Sequence, residues 1–344
     1  MATYFDIFGQ KVQYLSSDPS PVAQGQVWYN SSTNTLKVRT LTPSNSYAST
    51  PALNTARSDA RGGGSAEAAF VAAGDSPSGS NTEKYDGSSW TSSGSLTAGL
   101  PANGGASGGS QTAGWYAYGT PGGGGASPPG RNETEHYNGT AWTAANNSIA
   151  TFKQNTIGLG PQTAGIAFGG FTGPASPAAS TNKTTEYNGT SWTTGGDMNQ
   201  ARQGPSGAGG PSAQTACLAM GGMLEPPGSD FKNNAEEYNG SAWTNLNTLN
   251  TARGYGAGGG TTARAVMVCG RGPSATTATE TWDGSCFSTN PNSYPVARTH
   301  LAASGFPGSF STGIIFAGGN PGPHSTTSNE WSFDAVGTQT VTTT

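Results

Sequence analysis

Charge is scarce in this chain of 344 residues. Fifteen Lys and Arg stand against nineteen Asp and Glu, a net charge of −4. No basic run or stripe occurs, so there is no electrostatic case for binding nucleic acid. Cysteine is scarcer still. Cys217, Cys269 and Cys286 are odd in number and far apart, which fits neither a disulfide framework nor a zinc site. There are three histidines, His136, His300 and His324, and their positions suggest no shared metal site. No window approaches eighteen apolar residues, so neither a spanning helix nor membrane insertion is expected. The opening MATYFDIFGQKVQYL lacks the basic region and apolar core of a signal peptide, which points to synthesis in the cytoplasm. Neither a phosphate-binding loop nor a Gly-x-Ser-x-Gly elbow is found.

Glycine (54), proline (22) and aromatic residues are plentiful, and they recur in order. A Thr-Glu-x-Tyr-(Asn/Asp)-Gly-x-x-Trp-Thr pattern stands around Tyr85, Tyr137, Tyr187 and Tyr238. A weaker copy puts Trp282 at the Tyr place and Phe287 at the Trp place. A decayed sixth copy has Trp331, with Val336 at the Trp place. The interval is 44–52 residues. Asn-Gly or Asp-Gly between aromatic residues predicts a hairpin whose turn needs positive φ. Asn138-Gly139, Asn188-Gly189 and Asn239-Gly240 are therefore expected at turn tips. The competing reading of Asn-Gly-Thr is a glycosylation acceptor.

Upstream of the hairpins stands a basic residue, at Arg57, Lys153, Arg202, Arg253 and Arg298; the second repeat has only LTAG around Gly99. A glycine-rich stretch follows, then a short apolar run bounded by glycine, such as AGIAFGG at 164–170. Such runs read as buried strands. Each repeat thus supplies four short strands, the expected content of one propeller blade.

The order Arg, diglycine, Tyr, Trp resembles Kelch repeats. The diglycine stands intact at Gly169-Gly170, Gly221-Gly222 and Gly318-Gly319. The resemblance implies an all-β fold: a six-bladed Kelch-like β-propeller over residues 49–344, behind a short N-terminal β-hairpin segment at 1–48. The hairpin is read around 27–38, as a docking element in preference to a seventh Tyr–Trp hairpin closing the ring. Its wording, Gly-Gln-Val-Trp-Tyr-Asn-x-x-Thr-Asn-x-Leu-x-Val, resembles N-terminal segments of tailed-bacteriophage virion proteins.

Galactose oxidase shares the Kelch fold, and sialidases use paired carboxylates with an Arg triad. Here Glu83, Glu135, Glu186, Glu237, Glu280 and Glu330 are read as recurring once per repeat, which assigns them to the fold, not to catalysis. The basic anchors are read the same way, as ties between neighbouring blades, against the alternative of an acidic-glycan rim. No catalytic residue, metal ligand or cofactor is expected, and no ligand-binding residue is assigned. The loops after each apolar run, such as 120–133, 171–183 and 320–328, vary most and are expected on one side. The functional expectation is a non-enzymatic virion structural or adhesion protein, homo-oligomeric. It would contact other virion proteins through 1–48 and a host-surface glycan or protein through the propeller. The alternative is a secreted carbohydrate-binding or galactose-oxidase-like Kelch protein.

Overall fold

The computed structural model describes residues 12–19, 26–42, 45–75, 79–97, 104–119, 132–147, 154–172, 179–225, 230–304, 313–320, 324–333 and 335–341. Lys153, Gly99 and most of the loop 120–133 lie outside the described residues. The chain forms two compact units, Met1–Ser46 with Ser332–Thr344, and Tyr47–Trp331.

The smaller unit is one four-stranded sheet. Val27–Asn30 and Thr35–Thr42 make an antiparallel hairpin; Gln13–Leu15 lies parallel on one side and Ala335–Val341 antiparallel on the other. Asn30 shapes the hairpin turn by accepting from the N–H groups of Ser32 and Thr33. Trp28 is fully buried, and its indole donates to Asp18 at 3.0 Å. Lys37, bonded to Asp18 at 2.7 Å, is the chief reason that this carboxyl is held down to about 2. Val336, read above as the outer-strand position of the sixth repeat, instead pairs with Leu41 in this sheet.

The larger unit contains six four-stranded antiparallel sheets. The first runs Arg61–Gly64, Ala69–Ala72, Thr82–Tyr85, Trp90–Ser93. The next four lie within 106–145, 157–194, 206–245 and 257–290. The sixth combines Ala302–Ala303, Ile314–Ala317 and Ser328–Ser332 with Ser46–Thr50, so its outer strand comes from the start of the unit. Tyr47 there takes the place of the repeat Trp, packing on Trp331 and Tyr294.

The first strands touch one another in a cycle: 61–64 on 106–110, then 157–159, 206–208, 257–261, 302–303 and back to 61–64. Glycine permits the close approach. A Cβ on Gly62 would lie 2.7 Å from the Ala303 carbonyl, and one on Gly258 2.8 Å from that of Gly207. Between sheets, the Tyr and Trp rings of each Tyr–Trp hairpin lie against each other, as in Tyr187–Trp192 at 4.8 Å with the planes tilted by 32°, and pack on the neighbouring apolar strand.

The Asn-Gly turns differ from a two-residue hairpin. Tyr187 pairs with Trp192 across four loop residues, and only glycine has positive φ. Asn188 Oδ1 instead accepts from the N–H groups of Thr190 and Ser191. Asp86 and Asp283 do the same; the Ser88 hydroxyl with the N–H groups of Ser88 and Ser89 holds Asp86 down to about 2, and the Cys286 N–H with the Ser285 hydroxyl and N–H holds Asp283 there.

Candidate functional site

The recurring Arg and Glu are paired inside the larger unit. Arg57, fully buried, donates to Glu83 at 2.6 Å and to the carbonyls of Ala73 and Asn81. Arg202 does likewise with Glu236 at 2.7 Å and with Gly221 and Asn234. Arg253 pairs with Glu280. Burial pushes Arg202 down to about 10, with Glu236 opposing. These side chains therefore join strands of their own sheet, where a tie to the neighbour was expected. The Arg backbone makes that tie. Gly170 N–H donates to the Arg202 carbonyl, Gly222 to Arg253, Gly270 to Arg298 and Gly319 to Arg57.

The carboxylate register also differs from the sequence reading. The inward position is held by Glu83, Glu135, Glu236 and Glu280, and by Thr185 and Asn329 in the other two sheets. Glu186, Glu237 and Glu330 sit one residue later, half-buried on the other face. There Glu186 accepts from Tyr238 of the next sheet at 2.6 Å, and His136 meets the Tyr187 hydroxyl at 2.8 Å. Glu83, Glu236 and Glu280 also accept from the backbone N–H of Asn54, Asn199 and Asn250. A Gln-Thr-Ala repeat escaped the sequence reading. Gln111, Gln162 and Gln214 each donate to two carbonyls of the preceding sheet, for example Ala69 and Tyr85.

Two residues past each basic anchor the chain turns left-handed. Asp59, Asn155, Gly204, Tyr255 and His300, with Gly104 in the second repeat, all have φ between 55° and 66°. Their backbones form a closed circle of hydrogen bonds. Gly104 N–H donates to Asp59, Thr156 to Gly104, Gly204 to Asn155, Tyr255 to Gly204, His300 to Tyr255, and Asp59 to His300, at 2.8–3.3 Å. Left-handed backbone costs roughly 1–2 kcal/mol at a non-glycine residue such as Tyr255 or His300. Such strain held in place by its surroundings marks a position for functional scrutiny.

The circle marks one face of the sheet set. Beside it, Asp75 donates to Ser58, while Gln154 bridges Phe171, Gln203 bridges Met223, Gly254 bridges Arg271 and Thr299 bridges Asn320. These partners begin the variable loops, so the described loop ends gather around the circle. A cavity of about 70 Å³ opens there, lined by Arg61, Ser107, Asn155, Tyr255, His300 and Ser304 over glycine-rich backbone. Tyr255 and His300 stack at 4.6 Å. The Tyr255 ring occupies the space a Cβ on Gly204 would fill, 2.5 Å away. His300 Nδ1 meets Thr299 Oγ1 at 2.9 Å, and Nε2 lies 3.7 Å from Asp59. Burial lowers His300 and outweighs the opposing pull of Asp59. Asn155 donates to Gln203 at 3.3 Å, and Gln203 to Glu225 at 2.7 Å.

Of the other residues considered, His324 bonds Ser58 at 3.0 Å. Cys217 and Cys269 are buried, and burial pushes Cys269 up to about 12. Cys286 is exposed on its turn. Arg298 Nε is buried with no hydrogen bond among the described residues, and its sheet carries Asn329 at the position held by Glu in four other sheets. Among the described residues no group of three His, Cys, Asp or Glu is arranged to hold a metal.

No family model matches the chain. No curated protein sequence matches it. In structure it is similar to the protein of a solved structure titled "Structure of YjhT", with a TM-score of 0.67 at 12% identity, covering 84% of this chain and 99% of that one. At that identity the likeness speaks for the fold alone. With the repeated four-stranded antiparallel sheets, it identifies the fold of this chain as a β-propeller.

Proposed function

We propose that this chain is a six-bladed Kelch-like β-propeller that serves as a non-enzymatic structural and adhesion protein of a tailed-phage virion. Residues 1–48 attach it to other virion proteins. The propeller is displayed for host-surface glycan or protein, in a homo-oligomer. One observation carries this reading. The segment whose wording resembles phage virion proteins folds with 335–341 into its own sheet, within a compact unit distinct from the repeats. The blade count is supported by the six sheets and the circle of hydrogen bonds through all six repeats. The non-enzymatic reading is supported by the use of the repeated Arg and Glu: Arg57, Arg202 and Arg253 each hold a carboxylate of their own sheet.

The test is assembly. Particles made without the protein are incubated with the full chain and with a variant lacking 1–46. The full chain is expected to join particles and increase their retention on host cells, and the variant to do neither. Failure of the full chain to join particles, or equal joining by the variant, would overturn the reading. A secreted carbohydrate-binding or galactose-oxidase-like Kelch protein is the second reading, favoured by the cavity beside the circle. Copper-dependent turnover of galactosides by the purified chain would select it.

A further inference from the structure

We propose that the cavity beside the hydrogen-bonded circle binds a small oxyanion, the carboxylate or phosphate group of a small ligand, through Arg61. The inference does not depend on the virion reading.

It begins with a contrast between arginines. Arg57, Arg202 and Arg253 are buried, and each is neutralised by a glutamate in its own sheet. Arg61 is half-buried in the wall of the cavity and has no carboxylate partner among the described residues. Its hydrogen bonds go to carbonyls: Nε to Gly105 at 2.6 Å, Nη1 to Ala60 at 3.3 Å and Nη2 to Thr156 at 3.5 Å. Carbonyls satisfy N–H groups but leave the positive charge standing. Two of the three bonds are at the long end of the useful range. A guanidinium has five N–H donors in a planar fork that matches the oxygens of a carboxylate or phosphate. Arg61 therefore keeps both charge and donor capacity toward the cavity.

The surroundings suit an oxyanion. The lining carries no carboxylate: it is glycine backbone and apolar side chains such as Ile157, Leu159 and Leu301, with the neutral groups of Ser107, Asn155, Tyr255 and Ser304, and burial favours neutral His300. Asp59 is the nearby negative charge; it interacts with Arg61 through space and faces His300 at 3.7 Å without bonding the guanidinium. Burial removes water competition from the guanidinium, which strengthens a charge-assisted bond. The small volume, about 70 Å³, limits the buried part of the ligand to the oxyanion and a few atoms beyond it.

The experiment follows the Arg61 guanidinium by nitrogen-15 NMR while inorganic phosphate, acetate and pyruvate are titrated separately into the full chain, with chloride held constant. A saturable shift of the Arg61 Nε–H signal is expected with at least one of them. Phosphate alone would select a phosphoryl ligand, and acetate or pyruvate alone a carboxylate. By isothermal titration calorimetry, which does not need the Arg61 signal, Arg61→Gln should weaken binding by roughly tenfold or more, and Arg61→Lys, which keeps the charge but loses the fork, should fall between. If Arg61→Gln fails to fold, Arg61→Lys carries the comparison. No saturable shift with any probe would overturn the inference. So would saturable binding that persists unchanged in the folded Arg61 variants.

Discussion

The indole N–H of Trp192 donates to the hydroxyl of Thr134 at 2.9 Å, across the boundary between two consecutive sheets. Trp142 reaches Thr82 and Trp243 reaches Thr184 in the same way, at 2.9 and 3.0 Å. Tyr47, in the outer strand of the sixth sheet, meets Thr279 at 2.8 Å. The fifth sheet lacks both partners together: Phe287 replaces the Trp, and Ala235 of the fourth sheet replaces the Thr. At the sixth-to-first boundary, Ser328 stands at the Thr place and is bonded by Thr50.

Thr134→Val should therefore destabilise the protein by about 1–3 kcal/mol, because it leaves the buried indole N–H of Trp192 without its acceptor. Trp192→Phe should cost more, and the double variant less than the sum, because each change removes the same bond. The pair Ala235→Thr with Phe287→Trp should be more stable than the sum of its single variants. Denaturant unfolding of the set measures this; strict additivity in both cycles would count against the clasp.

Removing one member of a buried ion pair should be far costlier. Arg202→Met leaves Glu236 buried without its partner, and a loss of roughly 3–5 kcal/mol is expected. Arg202→Met with Glu236→Leu should recover part of it. Circular dichroism melts distinguish the outcomes, and a single variant melting like the parent would refute the structural role.

The diglycine positions are unequal. The first has φ near 60°, and Ala73, Tyr118 and Cys269 hold it in three sheets. The second is always glycine, with φ from 97° to 115°. Cys269→Gly should change stability by less than about 1 kcal/mol. Gly270→Ala should cost about 2 kcal/mol or more, since φ is 97° and its Cβ would lie 2.7 Å from the Gly254 carbonyl. Equal effects of the two changes would show that backbone conformation does not set the pattern.

Acidification should weaken the fold through its imidazoles. Burial lowers both His136 and His300. Below pH ~6.5 the unfolded chain binds protons that the folded chain resists, so stability falls as pH drops from there toward the folded values. Asp75 and Glu330 are raised by burial and act in the opposite sense at lower pH. His136→Gln should reduce the slope between pH ~7.5 and ~5.5. An unchanged slope in that variant would remove His136 from the explanation.

The repeat was legible because each Tyr–Asn–Gly–x–x–Trp unit is local: the turn, the strand pair and the stacked rings lie within a few residues. Partnerships across the chain were not. Ser46–Thr50 carries no Trp, and only its placement beside Ser328–Ser332 shows that Tyr47 fills the Trp role. Glu236 and Glu237 are adjacent in sequence, and strand register alone decides which one meets Arg202. Arg61 carries no signal in the sequence, because what sets it apart is its place in the cavity wall without a carboxylate partner among the described residues. The cavity combines residues from all six repeats, and four of its positions, Asn155, Gly204, Tyr255 and His300, share a backbone conformation but no side-chain type.

A density map of the full chain viewed down the axis of the circle tests the ring most directly. Six sectors are expected, the sixth carrying Ser46–Thr50 as its outermost strand. A different number of sectors, or 335–341 in that outer position, would contradict it.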